Sequence, residues 1–332
     1  MTEHAAGSEP ASAPIKKVLV HAAQRSDVGK VRTENQDFSI LTVPEEENAQ
    51  KGRLMIVADG MGGHRGGATA SRMAATIIKS EYLGAESPDI QESLRRALTT
   101  ANGKIFTEAQ TNPDLRGMGT TCSVLVVRDG EAYLAHVGDS RIYRVRGDEI
   151  KQLTEDHSLV ASMVREGLLT SKEAEVHPRR NVLQRSLGVA EDVDVDVSAA
   201  TAVLPGDVFI LCSDGLHGQV KEDEILEMAK QSPEEAVEAL VNRAIERGAP
   251  DNVTVIVARA EEVKTPDATT PDPEPPPAPA TPDELDPSQS PTLRIRVEAP
   301  RRGTLLKWIL ITLLTGGAAG AAFLYWSLSR HS

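Results

Sequence analysis

The sequence predicts an α+β fold with sheet packed on sheet and helices outside, followed by a C-terminal transmembrane helix. Three observations predict it. Short apolar or β-branched runs bounded by Gly and Asp read as strands: "RLMIVADG", "CSVLVVRDG", "AYLAHVGDS", "RIYRVRGD", "DVFILCSDG" and "NVTVIVARA". Most are separated by short turns, which favours hairpins and antiparallel sheets. Long helical patterns interrupt them, and such helices need a sheet face to cover.

Residues 1–14 are small, polar and Pro-containing, and are expected to form a disordered tail. They carry acids and no apolar core of signal-peptide length, so no cleaved export signal is expected. Residues 15–262 alternate apolar runs with turn signals and form the predicted globular domain. Its first long helix is "GGATASRMAATIIKSEYL", directly after the first of these strands. The second, "DIQESLRRALTTANGKIFTEAQ", places Ile90, Leu94, Leu98 and Ile105 near helical spacing. "HSLVASMVREG" and "PEEAVEALVNRAIERG" are two more. Residues 263–300 are too rich in proline for regular hydrogen-bonded structure and form a semi-extended spacer.

Residues 304–328 are the predicted transmembrane helix. From Trp308 to Leu328 there is no charged residue, and the length matches a bilayer's hydrocarbon core. Trp308 and the Tyr325–Trp326 pair sit near its ends, where amphipathic rings favour the interface. The alternative, a buried helix, is less economical because the domain is complete without it. Arg301, Arg302 and Lys307 precede the span and only Arg330 follows it. The positive-inside rule then gives a single-pass protein of the cell (inner) membrane with its folded domain in the cytoplasm. Gly316 and Gly320 either pair two such helices or are small residues in a lone span.

Hydrophobic residues make up 40% of the 332, enough for a sizeable core, but aromatics are 3%, so that core is aliphatic. A formal charge of −13 argues against a nucleic-acid partner, which needs a basic face. Cys122 and Cys212 lie in apolar runs and read as buried thiols in a reducing compartment rather than as a disulfide.

Five predicted strand ends carry an aspartate: Asp37, Asp59, Asp139, Asp214 and Asp251. Any single Asp-Gly is more often a hairpin turn than a ligand. Gathered at one rim, the set reads differently, because like charges that close repel and raise one another's pKa. Hard divalent cations relieve this, and oxygen-only ligation selects Mg²⁺, Mn²⁺ or Ca²⁺ over zinc. Gly60, lacking a side chain, lets its carbonyl approach a cation closely. Arg32 is either a phosphate clamp beside the metals or a surface partner of Glu34.

The ordered motifs "SDVGKVRTENQDF", "VADGMGGHRGG", "GMGTTCSVLVV", "AHVGDSRIYRV", "LTEDHSLV", "HPRRNVLQRSLG", "LCSDGLHGQV" and "PDNVTVIVAR" resemble the metal-dependent protein phosphatases (PPM, type 2C), bacterial branch, over residues 17–260. The resemblance implies a four-layer αββα sandwich of two antiparallel sheets flanked by helices. It implies hydrolysis of phosphoserine and phosphothreonine by a metal-activated water, with two Mg²⁺ or Mn²⁺ ions and a third, weaker one. Asp59 would bridge the pair, with the Gly60 carbonyl on one ion and Asp214 and Asp251 on the other. Asp37 would support the first ion, Asp139 with Asp214 would form the third site, and Arg32 would bind phosphate. Residues from about 157 to 185 match the family's flap. Gln36 stands where relatives often have Glu, and Met61 where animal relatives have a proposed general-acid histidine; His64 lies nearby without an assigned role. Partners would be phosphorylated Ser/Thr proteins, Ser/Thr kinases and kinase substrates. A catalytically weak phosphoprotein adaptor and a two-metal nuclease are the competing readings. Intact acids argue against the first and the acidic charge balance against the second.

Overall fold

A computed structural model of the chain describes residues 18–43, 49–63 and 65–262. The chain divides into two units, Met1–Pro266 and Asp267–Ser332, and every described residue belongs to the first. In chain order its elements are β1 (Val18–Asp27), β2 (Asp37–Leu41), β3 (Arg53–Met61), α1 (Gly66–Gly84), α2 (Ile90–Thr111), β4 (Gly119–Thr120), β5 (Cys122–Arg128) and β6 (Glu131–Val137). There follow β7 (Arg141–Arg146), β8 (Glu149–Gln152), α3 (Leu159–Arg165), α4 (Ser171–Glu175), β9 (Asp196–Val197), β10 (Thr201–Ala202), β11 (Val208–Cys212), α5 (Asp214–His217), α6 (Glu222–Met228), α7 (Pro233–Glu246) and β12 (Val253–Glu262).

The strands form two antiparallel sheets. One is five-stranded in the order β1-β12-β11-β7-β8; the other is seven-stranded along β10-β6-β5-β3-β2, with β4 on β3 and β9 on β6. Period-two alternation then sorts each central strand between two cores. Met55, Val57, Leu125, Phe209, Leu211 and Ile256 meet between the sheets. Leu54, Ile56, Val124 and Val126 turn the other way, onto Ala70, Ala74 and Ile78 of α1 and Leu94, Leu98 and Ile105 of α2. Ile210, Val253, Val255 and Val257 turn onto Val237, Leu240 and Val241 of α7. Both faces of these strands are buried, so they read as nearly continuous apolar runs rather than as alternating ones. Cys122 and Cys212 are free and buried in different cores.

The Asp-Gly pairs separate by role. Asp129–Gly130 is a true two-residue hairpin between β5 and β6, with φ of +52° and +79°. Asp59–Gly60 instead lies within β3, and Asp214–Gly215 opens the helical turn α5. The predicted tail over 1–14, spacer over 263–300 and span over 304–328 lie outside the described residues. Among the described residues no helix is long and apolar enough to cross a membrane.

Candidate metal centre

Asp37 and Asp59 stand directly opposite each other in the β2–β3 register. Like charges in that position repel, so the pair costs stability unless a proton or a cation intervenes. Ser213, the last residue before α5, donates to Asp37 Oδ2 at 2.7 Å. The backbone N–H of Thr254 in turn donates to Ser213 Oγ at 3.0 Å. These bonds tie the head of β2 to β11 and β12 in the other sheet.

Asp59 is fixed by its backbone. Its N–H donates to Thr121 Oγ1 at 3.0 Å, and its carbonyl accepts from the Thr121 N–H and from Thr120 Oγ1, both at 2.9 Å. Gly60 is next, and its N–H donates to the Gln36 carbonyl at 3.1 Å. The backbones of Gly60 and Gly67 pass so closely that a Cβ on Gly67 would stand 2.7 Å from both Gly60 O and Gln36 Oε1. The glycines of "ADGMGGHRGG" thus let the start of α1 close onto the strand. His64 lies outside the described residues.

Asp139 occupies the crossing from β6 in one sheet to β7 in the other, and its carbonyl accepts from His217 Nε2 at 3.0 Å. Asp251 precedes β12. Its neighbour Asn252 is a hub: the side-chain amide donates to the Val28 and Glu34 carbonyls at 2.9 and 3.0 Å, and Oδ1 accepts from the Gln36 N–H at 2.8 Å. Arg32 pairs with Asp251, Nη2 to Oδ2 at 2.7 Å, rather than with Glu34.

The buried carboxyls act on one another's charge. Burial, and then the charges of Asp37, Asp214, Asp139 and Asp251, hold the Asp59 carboxyl well above the ordinary carboxylate range. Burial raises Asp37 to about 7 against the pull of Ser213, with Asp214 and Asp251 adding to the rise. Burial and then Asp214 raise Asp139 to about 7. Burial and then Asp251 raise Asp214, while a hydrogen bond from Asp59 opposes the rise. Arg32 is held above its ordinary value, chiefly by its bond to Asp251.

Divalent cations fit these residues. Asp37 Oδ1 and Asp214 Oδ1 are buried and meet no hydrogen-bond donor. The assembled ligands are hard oxygens, which suit Mg²⁺ or Mn²⁺. Among the described residues no three acidic, His or Cys side chains already close on one point as a finished cage. The structure therefore brings together all five predicted aspartates, Gly60 and Arg32, with Asp251 ion-paired to Arg32. Sequence reasoning missed the polar residues that hold them: Ser213, Thr121, Asn252, Thr254 and His217. Ser213 and Asn252 are each adjacent to a predicted ligand, which is the one signal that could have marked them.

Comparison with known proteins agrees. The family description "Protein phosphatase 2C" matches residues 32–252. The chain is 38% identical over 249 residues to the serine/threonine phosphatase stp of Listeria innocua, covering 72% of this chain and 95% of that one. It resembles the crystal structure of the Mycobacterium tuberculosis serine/threonine phosphatase PstP/Ppp with a TM-score of 0.66 and 34% identity, covering 74% of this chain and 100% of that one. A PstP catalytic domain in complex with two manganese ions matches with a TM-score of 0.65 and 32% identity, over 74% of this chain and 100% of that one. The chain belongs to the bacterial branch of the type 2C protein phosphatases and is a metal-dependent protein serine/threonine phosphatase.

Proposed function

We propose that the chain removes phosphate from phosphoserine and phosphothreonine in proteins by means of a metal-activated water, while its C-terminal segment holds it at the cell membrane. The observation that carries the catalytic part is the collection of five aspartates at one rim, two of them with buried oxygens that meet no donor. Asp59, Asp214, Asp251 and the Gly60 carbonyl would hold two Mg²⁺ or Mn²⁺ ions, with Asp37 in support and Asp139 with Asp214 holding a third. When bound, such ions make water nucleophilic near neutral pH and supply positive charge for the phosphoryl oxygens.

The chain's own residues do the rest. Asp37, Asp59, Asp139 and Asp214 must release the protons that burial and mutual repulsion favour. Asp251 must exchange Arg32 for a cation. Arg32, exposed on the open side, is then released to fork two phosphoryl oxygens. The relatives' names make phosphorylated proteins the substrate class, and Ser/Thr kinases and their targets are the natural partners. Asp59→Asn should lower Mn²⁺-dependent phosphate release from a phosphothreonine peptide by on the order of 10³-fold or more. Near-normal turnover by that variant would refute the assignment.

The membrane part rests on the uncharged run from Trp308 to Leu328 and on Arg301, Arg302 and Lys307 before it. The full chain should sediment with membranes and resist high-salt extraction, and a chain ending at Glu262 should stay in the supernatant. Full-length protein in the supernatant would overturn the tether.

A further inference from the structure

The motif "LTEDHSLV" supplies His157, which is buried and lies outside the predicted ligand set. Its surroundings centre on Gly138, the residue before Asp139. Gly138 has φ of +112°, and a Cβ there would stand 2.6 Å from Cβ of Thr121, whose hydroxyl also accepts from the Asp59 N–H. The crossing segment is thus pressed against the support of Asp59, in a conformation that glycine alone adopts readily.

His157 takes up both polar groups of Gly138. Its backbone N–H donates to the Gly138 carbonyl at 2.7 Å, and its Nδ1 accepts from the Gly138 N–H at 3.1 Å. With Nδ1 accepting, the neutral ring carries its proton on Nε2 and donates it to Asp196 Oδ2 at 3.0 Å. Asp196 Oδ1 accepts from Arg185 Nη1 at 3.0 Å. His136 adds a second donor to the Gly138 carbonyl, from Nε2 at 2.9 Å.

We propose that His157 is a positioning residue for Asp139. It fixes the peptide units flanking Gly138 and so sets where the Asp139 carboxylate stands, while Asp196 and Arg185 hold its imidazole in the required tautomer. This rests on reading Asp139 as a cation ligand. Ligand-supporting groups of this kind act on metal affinity. The segment from residue 157 to 185 thus begins at a bond to the neighbour of one predicted ligand and runs on to a residue paired with a support of another. Its start holds Gly138, and just beyond its end Leu187 pairs with Thr120, which donates to the Asp59 carbonyl.

Two isosteric variants separate positioning from packing. In His157→Asn, Oδ1 stands where Nδ1 does, so the Gly138 bond survives and the Asp196 bond is lost. In His157→Gln the reach to Asp196 survives and the acceptor for Gly138 is lost. The test is Mn²⁺ binding to the full chain in detergent, followed by calorimetry and by the spin-resonance signal of free Mn²⁺, with Asp139→Ala alongside. His157→Gln should weaken the weakest Mn²⁺ site by on the order of 10-fold, with His157→Asn close to the unaltered protein. Equal affinities for the two variants would overturn the positioning role. Unchanged Mn²⁺ binding by Asp139→Ala would instead overturn the reading of Asp139 on which it rests.

Discussion

At the scale of the residue, the site is costly without metal. Asp37 and Asp139 both titrate near 7 in the folded chain against 3.8 for an ordinary aspartate. The folded state therefore binds more protons than the unfolded state across that window, and each group's contribution to stability is lost as pH rises through it. Buried His136, lowered to about 4, works in the opposite direction, losing its contribution as pH falls below 6.5. A single-site comparison isolates the carboxyl. In chelator, Asp139→Asn should gain stability relative to the unaltered protein between about pH 5 and about pH 7.5, read by denaturant unfolding at both ends. A constant difference would mean that Asp139 does not carry the shift. Arg32→Ala should lower kcat/KM for a phosphopeptide by roughly 10²-fold, since a charged donor to the phosphoryl oxygens is gone. The aspartates stood out in the sequence because acids at apolar strand ends are conspicuous; for Arg32 the residues left a phosphate clamp and a pair with Glu34 open, and its pairing with Asp251 is a long-range contact with no local signature. Ser213 and Thr121 were not, because a hydroxyl beside an apolar run has many uses and only the tertiary contact shows which carboxylate or amide it serves.

At the scale of the element, β3, β11 and β12, which carry or adjoin Asp59, Asp214 and Asp251, are buried on both faces, whereas β2, which carries Asp37, is half-buried. Phe209 of β11 lies in the core between the sheets, fully buried. Phe209→Ala should cost about 3–5 kcal/mol in chemical denaturation. A loss under about 1 kcal/mol would mean that the core between the sheets is loosely packed at Phe209. Burial on both faces is also why β3, β5, β11 and β12 were legible: each is a nearly continuous apolar run, interrupted by Ser123 in β5 and by Thr254 and the polar end of β12. β1 was not picked out as a strand. It is an edge strand with mixed residues, "VLVHAAQRSD", and its ten-residue pairing with β12 is a long-range contact with no local signature. The two-residue strands β9 and β10 and the turn α5 are too short to carry a period. α1, α2 and α7 were legible from helical spacing alone.

At the scale of the whole molecule, the site exists only where the two sheets meet. Asp37 and Asp59 belong to the seven-stranded sheet, Asp214 and Asp251 flank strands of the five-stranded one, and Asp139 sits on the crossing between them. Cations held by this set bind the docked sheets and not the unfolded chain, so they should stabilise the fold by about 2.7 kcal/mol at a hundredfold excess over Kd. The most direct test is anomalous scattering from manganese in crystals of the chain grown with Mn²⁺. Two strong peaks should lie among Asp59, Gly60, Asp214 and Asp251, with Asp37 and Arg32 beside them. Crystals of active protein with manganese bound elsewhere, and none among these residues, would contradict the account.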